Sequence, residues 1–297
     1  MSSDYLVRAT AHDGLIRAFA IDATGVVDEL RRRHRTDPVV TAAIGRLATG
    51  ALLFGAMLKE SDHLVTIRVK GDGPAGVLLA SANGSGGVRG LVGNPQPPVE
   101  QVRNGKLNVR GAVGTDGFLT VTRDLGLGQP YVGTVQIVSG EVGEDLAHYL
   151  ARSEQIPSAV GIGVFVRPDG SVEAAGGYLV QLLPGISDAE AARIESTIRE
   201  LPHPTAMLRG GESPEEILGR IFADGHQILD RRTVRFECPC SADRASRAIR
   251  MLGAEAVSEM IVEGAERGGA EVTCEFCTER YLIPLETLHA MERELRV

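Results

Sequence analysis

At 297 residues, with 43% hydrophobic and 24% charged content, the chain is too long for one small domain and reads as an ordinary soluble globular protein. Its net charge of −8 argues against a nucleic-acid binder whose affinity rests on neutralising phosphates; Arg31-Arg32-Arg33 and Arg231-Arg232 are short enough to be solvated faces. No signal-like segment opens the chain, so the expectation is a reducing cytoplasm, with no membrane or nucleic-acid partner.

Residues 5–10 and 15–21 read as two strands around a His12-Asp13-Gly14 turn, and 26–34 as a short helix ending in basic residues, which suits the negative end of the helix dipole. Thr36-Asp37-Pro38 then announces an apolar helix over 38–58, with a capping side chain followed by proline in the first turn. This stretch carries one charge, Arg46, but its continuous apolar part, 47–58, falls short of the ~20 residues of a membrane span. Its glycines and alanines fit a buried helix packed closely on a sheet or a second helix.

Strand signals dominate residues 64–136. Val65, Ile67 and Val69 alternate, 77–80 is a short apolar run, Phe118, Thr120 and Thr122 alternate again, and 132–138 follows. Turn chemistry separates them at Gly71-Asp72-Gly73-Pro74, Asn83-Gly84, Asn94-Pro95, Asn104-Gly105 and Asp116-Gly117. Gly71, Gly73 and Gly76 match a dinucleotide fingerprint by letter, but that motif needs a helix next, and a second strand is expected instead. Helix returns at 144–152, and a hairpin of 161–166 with 171–182 turns at Pro168-Asp169-Gly170. Residues 1–183 are therefore expected to form a strand-rich α+β body with one or two helices covering a face.

Composition shifts at Leu183-Pro184-Gly185, and residues 184–231 read as a metastable helical linker. Two short, charge-rich helices are expected, separated by Pro202-His203-Pro204 and Gly210-Gly211, each starting with a capping box: Ser187 with Glu190, and Ser213 with Glu216. Their apolar stripes are narrow: Ile194, Ile198 and Leu201 on one, Ile217, Leu218, Ile221 and Phe222 on the other. Helices this short are marginal alone, so the segment folds only while it has something to lean on.

All four cysteines fall in the last part, 232–297: Cys238-Pro239-Cys240 and, after 33 intervening residues, Cys274-Glu275-Phe276-Cys277. Thiolates one or two residues apart can grip the same metal, and two such pairs make a closed, all-sulfur tetrahedron of the structural-zinc kind. Two structural disulfides, an iron–sulfur cluster and a thioredoxin-like redox pair are the competing readings; the last needs a helix N-terminus. The flanks 271–273 and 281–283 alternate like a hairpin, which favours a zinc knuckle, with one zinc per chain held by Cys238, Cys240, Cys274 and Cys277. Helices are expected at 242–252 and 255–262, with Ile249, Leu252, Val257, Met260 and Ile261 inward. So small a module needs a staple, and zinc supplies about 10–16 kcal/mol on the zinc-finger scale. The 7 histidines show no ligand spacing, and no nucleophile elbow or phosphate loop appears. Glu141, Glu144 and Asp145 read as ordinary dipole partners near a helix start. The chain is not expected to be an enzyme.

The run from Phe236-Glu237-Cys238-Pro239-Cys240-Ser241 to Cys274-Glu275-Phe276-Cys277, with Tyr281 after it, resembles the C-terminal domain of the heat shock protein 33 family. So do Gly55-Ala56-Met57-Leu58-Lys59, Gly71-Asp72-Gly73-Pro74, Val88-Arg89-Gly90, Leu119-Thr120-Val121-Thr122, Ser153-Glu154-Gln155, Ala175-Gly176-Gly177 and Gln181-Leu182-Leu183-Pro184 in the body, and the resemblance covers almost the whole chain. It implies a cytoplasmic, redox-regulated holdase chaperone, inactive when reduced and zinc-bound. Peroxide with unfolding heat, or hypochlorous acid, would form two disulfides among Cys238, Cys240, Cys274 and Cys277 and expel zinc. Module and linker would then unfold, exposing surface that holds unfolded or misfolded client proteins, with a homodimer as the active form. Two further readings are a zinc-ribbon adaptor for protein or nucleic acid, and a thiol oxidoreductase using Cys274 and Cys277. Of the two disulfides, Cys274–Cys277 is expected first, because its cysteines end a tight turn, whereas Pro239 holds Cys238 and Cys240 extended.

Overall fold

Alternation in the first two runs produces β1 (Tyr5–Ala11) and β2 (Ile16–Asp22), joined by a 3-10 turn at His12–Gly14. The computed structural model describes residues 4–103 and 105–296. It divides into two units, Met1–Glu237 and Cys238–Val297. In the first, β2 leads into α1 (Thr24–His34) and α2 (Pro38–Gly55), and Asp37 caps α2 by accepting from the Val40 amide at 2.8 Å. A meander follows: β3 (Leu64–Gly71), β4 (Val77–Asn83) and β5 (Gly87–Val92). The small hairpin β6 (Val102–Arg103) and β7 (Lys106–Leu107) comes next, then α3 (Val109–Val113), β8 (Gly117–Asp124), β9 (Tyr131–Gln136) and α4 (Gly143–Arg152). The expected Asn104-Gly105 turn includes Asn104, which lies outside the described residues. The unit continues through β10 (Ser158–Val166), β11 (Val172–Leu182), α5 (Asp188–Glu200), α6 (Pro204–Arg209), α7 (Pro214–Ile221), β12 (Gln227–Thr233) and β13 (Arg235–Phe236).

Two sheets result, ordered β10-β11-β2-β1-β12 and β13-β5-β4-β3-β8-β9. The first is antiparallel throughout; in the second only β13 runs parallel to its neighbour. Helix α2 is the buried helix expected from sequence, and it lies between two sheets rather than against one. It packs on β3, β4 and β5 of one sheet and on β10 and β11 of the other. A helix apolar all round has no solvent side, and every residue from Val39 to Gly55 except Arg46 is buried. It is long and apolar enough to cross a membrane, but 89% of that window is buried inside the fold. Its glycines set the close approach: a Cβ at Gly50 would come within 2.4 Å of the Leu146 side chain on α4. Arg46 reaches the rim and pairs with Glu141 at 2.6 Å.

Glycines 71, 73 and 76 lie in the tight connection between antiparallel β3 and β4, so the dinucleotide lettering sits in a hairpin. On β8 the buried face is Leu119 and Val121, while Phe118 is 53% exposed, so the expected alternation sits on the outward face. Helix α2 ends at Gly55, short of the expected residue 58, and β5 and β12 are strands that the sequence did not mark.

Residues 184–231 lie within the first unit. They contain three helices rather than two, because Pro204 starts a further turn of helix, α6, after the break. The capping box is complete only at Ser213–Glu216, where both reciprocal bonds form. Ser187 caps α5 by accepting from the Glu190 amide, but the Glu190 carboxylate turns to Arg193 and His12. The stripes dock on the five-stranded sheet: Ile194, Met207, Ile217, Leu218, Ile221 and Phe222 share one apolar cluster with Val7, Ala9, Ala18, Ala20, Tyr178 and Val180. β12 then adds to the same sheet, paired antiparallel with β1.

The second unit holds α8 (Ala242–Arg250), α9 (Ala254–Gly264), the hairpin β14 (Gly269–Thr273) and β15 (Arg280–Pro284), and α10 (Leu285–Leu295). Its core is Ala245, Ile249, Val257, Ala270, Ile283, Leu288 and Met291, with Met260 and Ile261 packed on it. Leu252, expected inward, is 59% exposed, because α8 ends at Arg250 and leaves it in a turn. Helix α10, unassigned from sequence, supplies Leu288 and Met291.

Candidate metal centre

The cysteines reach one point by two different local devices. Cys238-Pro239-Cys240 precedes α8, whose first turn is capped by Ser241 Oγ accepting from the Arg244 amide at 3.2 Å. The Arg244 guanidinium donates back to the Pro239 carbonyl at 2.9 Å and pins the loop. The second pair sits in the turn between β14 and β15. There the Thr278 amide donates to the Cys274 carbonyl at 2.7 Å and the Cys274 amide to the Glu279 carbonyl at 2.8 Å. Thr278 takes a left-handed conformation, φ 61°, to close the turn. The expected hairpin context is present, so Cys274 and Cys277 do not sit at a helix N-terminus.

The four Sγ atoms lie within 4.8 Å of one another, although the pairs are separated by 33 residues. Sulfurs of different pairs approach closely: Cys238 to Cys274 at 3.8 Å and Cys240 to Cys277 at 3.2 Å. A tetrahedral ion with metal–sulfur bonds of about 2.3 Å needs sulfur–sulfur edges of about 3.8 Å, so this set fits a closed four-sulfur site. Cys277 is buried and the other three are half-buried. Among the described residues no carboxylate or imidazole joins them in the cluster.

One contact was not legible in the sequence: the Tyr281 hydroxyl lies 3.0 Å from Cys240 Sγ. Tyr281 pairs with Val272 across the hairpin, so a residue four positions past the second cysteine pair touches a sulfur of the first. Burial opposes ionisation of Cys240, but hydrogen bonds from Tyr281 and then from the neighbouring thiols outweigh it and hold its pKa down at about 7. Burial pushes the Cys277 thiol up. The Tyr281 hydroxyl is pushed up as well, first by its hydrogen bond with Cys240. Four ionised thiols at this spacing would need a cation to compensate them.

Comparison with known proteins covers both units. A family model described as Hsp33 protein matches residues 4–284. The 33 kDa chaperonin of Bacillus subtilis is 46% identical over 288 residues, which is 97% of this chain and 98% of the relative. The 33 kDa chaperonin of Listeria monocytogenes is 46% identical over 297 residues, 99% of this chain and 100% of the relative. The crystal structure of the 33 kDa chaperonin (heat shock protein 33 homologue) of Thermotoga maritima superposes with a TM-score of 0.90 at 33% identity, covering 98% of each chain.

Proposed function

This chain belongs to the Hsp33 family, and from that premise we propose that it is a redox-regulated holdase chaperone whose switch is the four-cysteine cluster. The observation that carries the reading is the convergence of four sulfurs within 4.8 Å in a unit whose apolar core is only seven buried side chains. Cys238, Cys240, Cys274 and Cys277 would hold one zinc per chain in the reduced protein. When bound, zinc supplies a tetrahedral cross-link between the loop before α8 and the β14–β15 turn. The side chains do the rest: the thiolates are the oxidisable groups, and closing disulfides withdraws them as ligands.

The linker at 184–231 is the element we propose to respond. One peptide bond separates Cys238 from Glu237, whose amide donates to the Val88 carbonyl at 2.8 Å and whose carboxylate accepts from Asn83. β13 runs into that anchor, and α5–α7 and β12 come before it in the chain. Loss of the second unit's fold would free the chain at this point and loosen the layer that covers Val7, Ala9, Ala18, Ala20, Tyr178 and Val180. That apolar face, uncovered in the cytoplasm, would hold unfolded or misfolded proteins and promote a homodimer of the active form. No catalytic step is assigned to the chain.

The decisive experiment is suppression of aggregation of a heat-unfolded test protein by the reduced, zinc-loaded chain and by the peroxide-oxidised chain. Suppression only after oxidation, with release of one zinc per chain, is the expected result. Equal suppression in both states, or nitrogen and oxygen ligands in X-ray absorption of the reduced protein, removes the switch. Mass mapping of the oxidised chain should find Cys274–Cys277 before Cys238–Cys240; a dominant bond between the two pairs would contradict that order.

A further inference from the structure

We propose that Tyr281 is a positioning residue of the cluster, and that its hydroxyl donates to the Cys240 thiolate and slows attack of that sulfur on oxidants relative to Cys274. The inference rests on the thiol-switch reading and adds a gate to it. The hydroxyl is 3.0 Å from Cys240 Sγ. In the metal-bound state sulfur carries no proton, so the tyrosine is the donor. A hydrogen bond engages a sulfur lone pair and draws charge from it, and both effects lower nucleophilicity.

The placement also gives a sequence of events. Tyr281 stands on β15, paired with Val272 of β14, so its position follows the hairpin that carries Cys274 and Cys277. With peroxide, one thiolate of that hairpin displaces hydroxide from the O–O bond and becomes a sulfenic acid. The second thiolate then displaces hydroxide from that sulfur and closes Cys274–Cys277, so two electrons pass to the peroxide oxygens. A closed bond across the turn shifts the hairpin and moves the hydroxyl off Cys240. Only then does the first pair lose its protection. Tyr281 thus makes oxidation of the first pair conditional on oxidation of the second.

The test uses the full-length, reduced, zinc-loaded chain and its Tyr281→Phe variant, which keeps the ring and removes the donor. Both are pulsed with substoichiometric iodoacetamide, and alkylation at Cys240 and Cys274 is read by fragment mass spectrometry beside zinc content. The expected result is one zinc in both proteins and a Cys240-to-Cys274 alkylation ratio roughly tenfold higher in Y281F, the scale on which outer hydrogen bonds tune metal ligands. A second arm replaces tyrosine by 3-fluorotyrosine, whose phenol donates more strongly, and should lower the ratio below that of the unlabelled chain. An unchanged ratio with full zinc overturns the role of Tyr281 and leaves the switch intact. Absence of zinc from the wild-type chain strikes the thiol-switch reading itself. If Y281F does not fold, the fluorotyrosine arm decides, and a ratio equal to the unlabelled protein's overturns the proposal.

Discussion

The two faces of the five-stranded sheet are built from alternate residues of the same strands, yet they are covered in opposite ways. Phe19 and Ile21 of β2 and Leu179 of β11 point into the central cluster with α2. Ala18 and Ala20 of β2 and Val180 of β11 point the other way, under α5, α6 and α7. The inner cover is led by one 18-residue helix, α2, buried except at Pro38 and Arg46, with α1 and α4 beside it on β11 and β10. The outer cover is three short helices with one apolar stripe each, over strand residues that include Ala9, Ala11, Ala18 and Ala20. Alanines bury less area than phenylalanine or isoleucine, so this layer gains less per residue, while each short helix is marginal alone. Its rim is fastened by partly exposed polar contacts: Glu190 to His12 at 3.1 Å, Arg209 to Glu173 at 3.1 Å, and the Tyr5 hydroxyl to Glu215 at 2.8 Å. Such pairs contribute about 0–1 kcal/mol each. The same sheet therefore carries one face under a long buried helix and one face whose cover we propose to lie at the low end of local stability.

That contrast is most severely tested through the cysteine cluster. On the proposed zinc reading, Cys277→Ser would replace a buried thiolate ligand by a neutral hydroxyl, and the staple it would weaken is worth about 10–16 kcal/mol on the zinc-finger scale. Zinc content should fall and amide exchange should become fast across Cys238–Val297 and then across α5–α7, while β3 and β8 stay protected. Full protection of α5–α7 in a zinc-free variant would break the proposed coupling between the second unit and the outer layer.

The next two substitutions compare the faces directly. Phe19→Ala opens a cavity beside α2 and should cost about 3–5 kcal/mol of global stability in urea, with exchange rising in both sheets. Ile217→Ala, in the outer layer, should cost about 2 kcal/mol, spent on local opening. Exchange should accelerate in α5–α7 and β12 with β3 and β8 unchanged, and oxidative activation should occur at lower temperature. If Ile217→Ala instead destabilises β3 and β8 as much as α7, the outer layer is part of the same cooperative unit and the contrast fails.

The smallest effect is at the rim. Burial first, and then the hydrogen bond to Glu215, push the Tyr5 hydroxyl up to about 12. Because its folded value exceeds the ordinary 10.0, the contact contributes stability that is whole below pH 10 and is lost as pH rises from about 10 to about 12. Tyr5→Phe should abolish this alkaline dependence of α7 protection and cost under about 1 kcal/mol at neutral pH. An identical alkaline loss in the variant would assign it to another group.

Much of this architecture was legible in local chemistry. Asp37-Pro38 and Ser213-Pro214 with Glu216 mark helix starts because a side-chain acceptor meets orphan amides within three residues. The β14–β15 hairpin was legible because strand alternation has period two on either side of a tight turn. The cysteine spacing pointed to one cluster because two ligands on a short loop can hardly serve separate metals.

What remained hidden is what depends on distant partners. Residues 38–58 announced a buried helix, but a helix apolar all round has no face to indicate two sheets, and only β4 and β10 decided that α2 lies between them. The narrow stripes of α5 and α7 announced docking without naming the surface; the pairing of β1, β2 and β11 created it, and β12 joined it from more than 200 residues away in the chain. The contact of Tyr281 with Cys240 spans 41 residues and exists only because the hairpin and the loop before α8 converge. Sequence by itself marked α1, α2, the β3–β4 and β14–β15 hairpins and where the thiols gather, but not β5, β12, α6 or α10. Tertiary structure alone decided which face the segment 184–231 covers and which sulfur receives the tyrosine hydroxyl, because capping, alternation and ligand spacing act over a few residues, whereas sheet order and close packing are set by partners the local pattern does not encode.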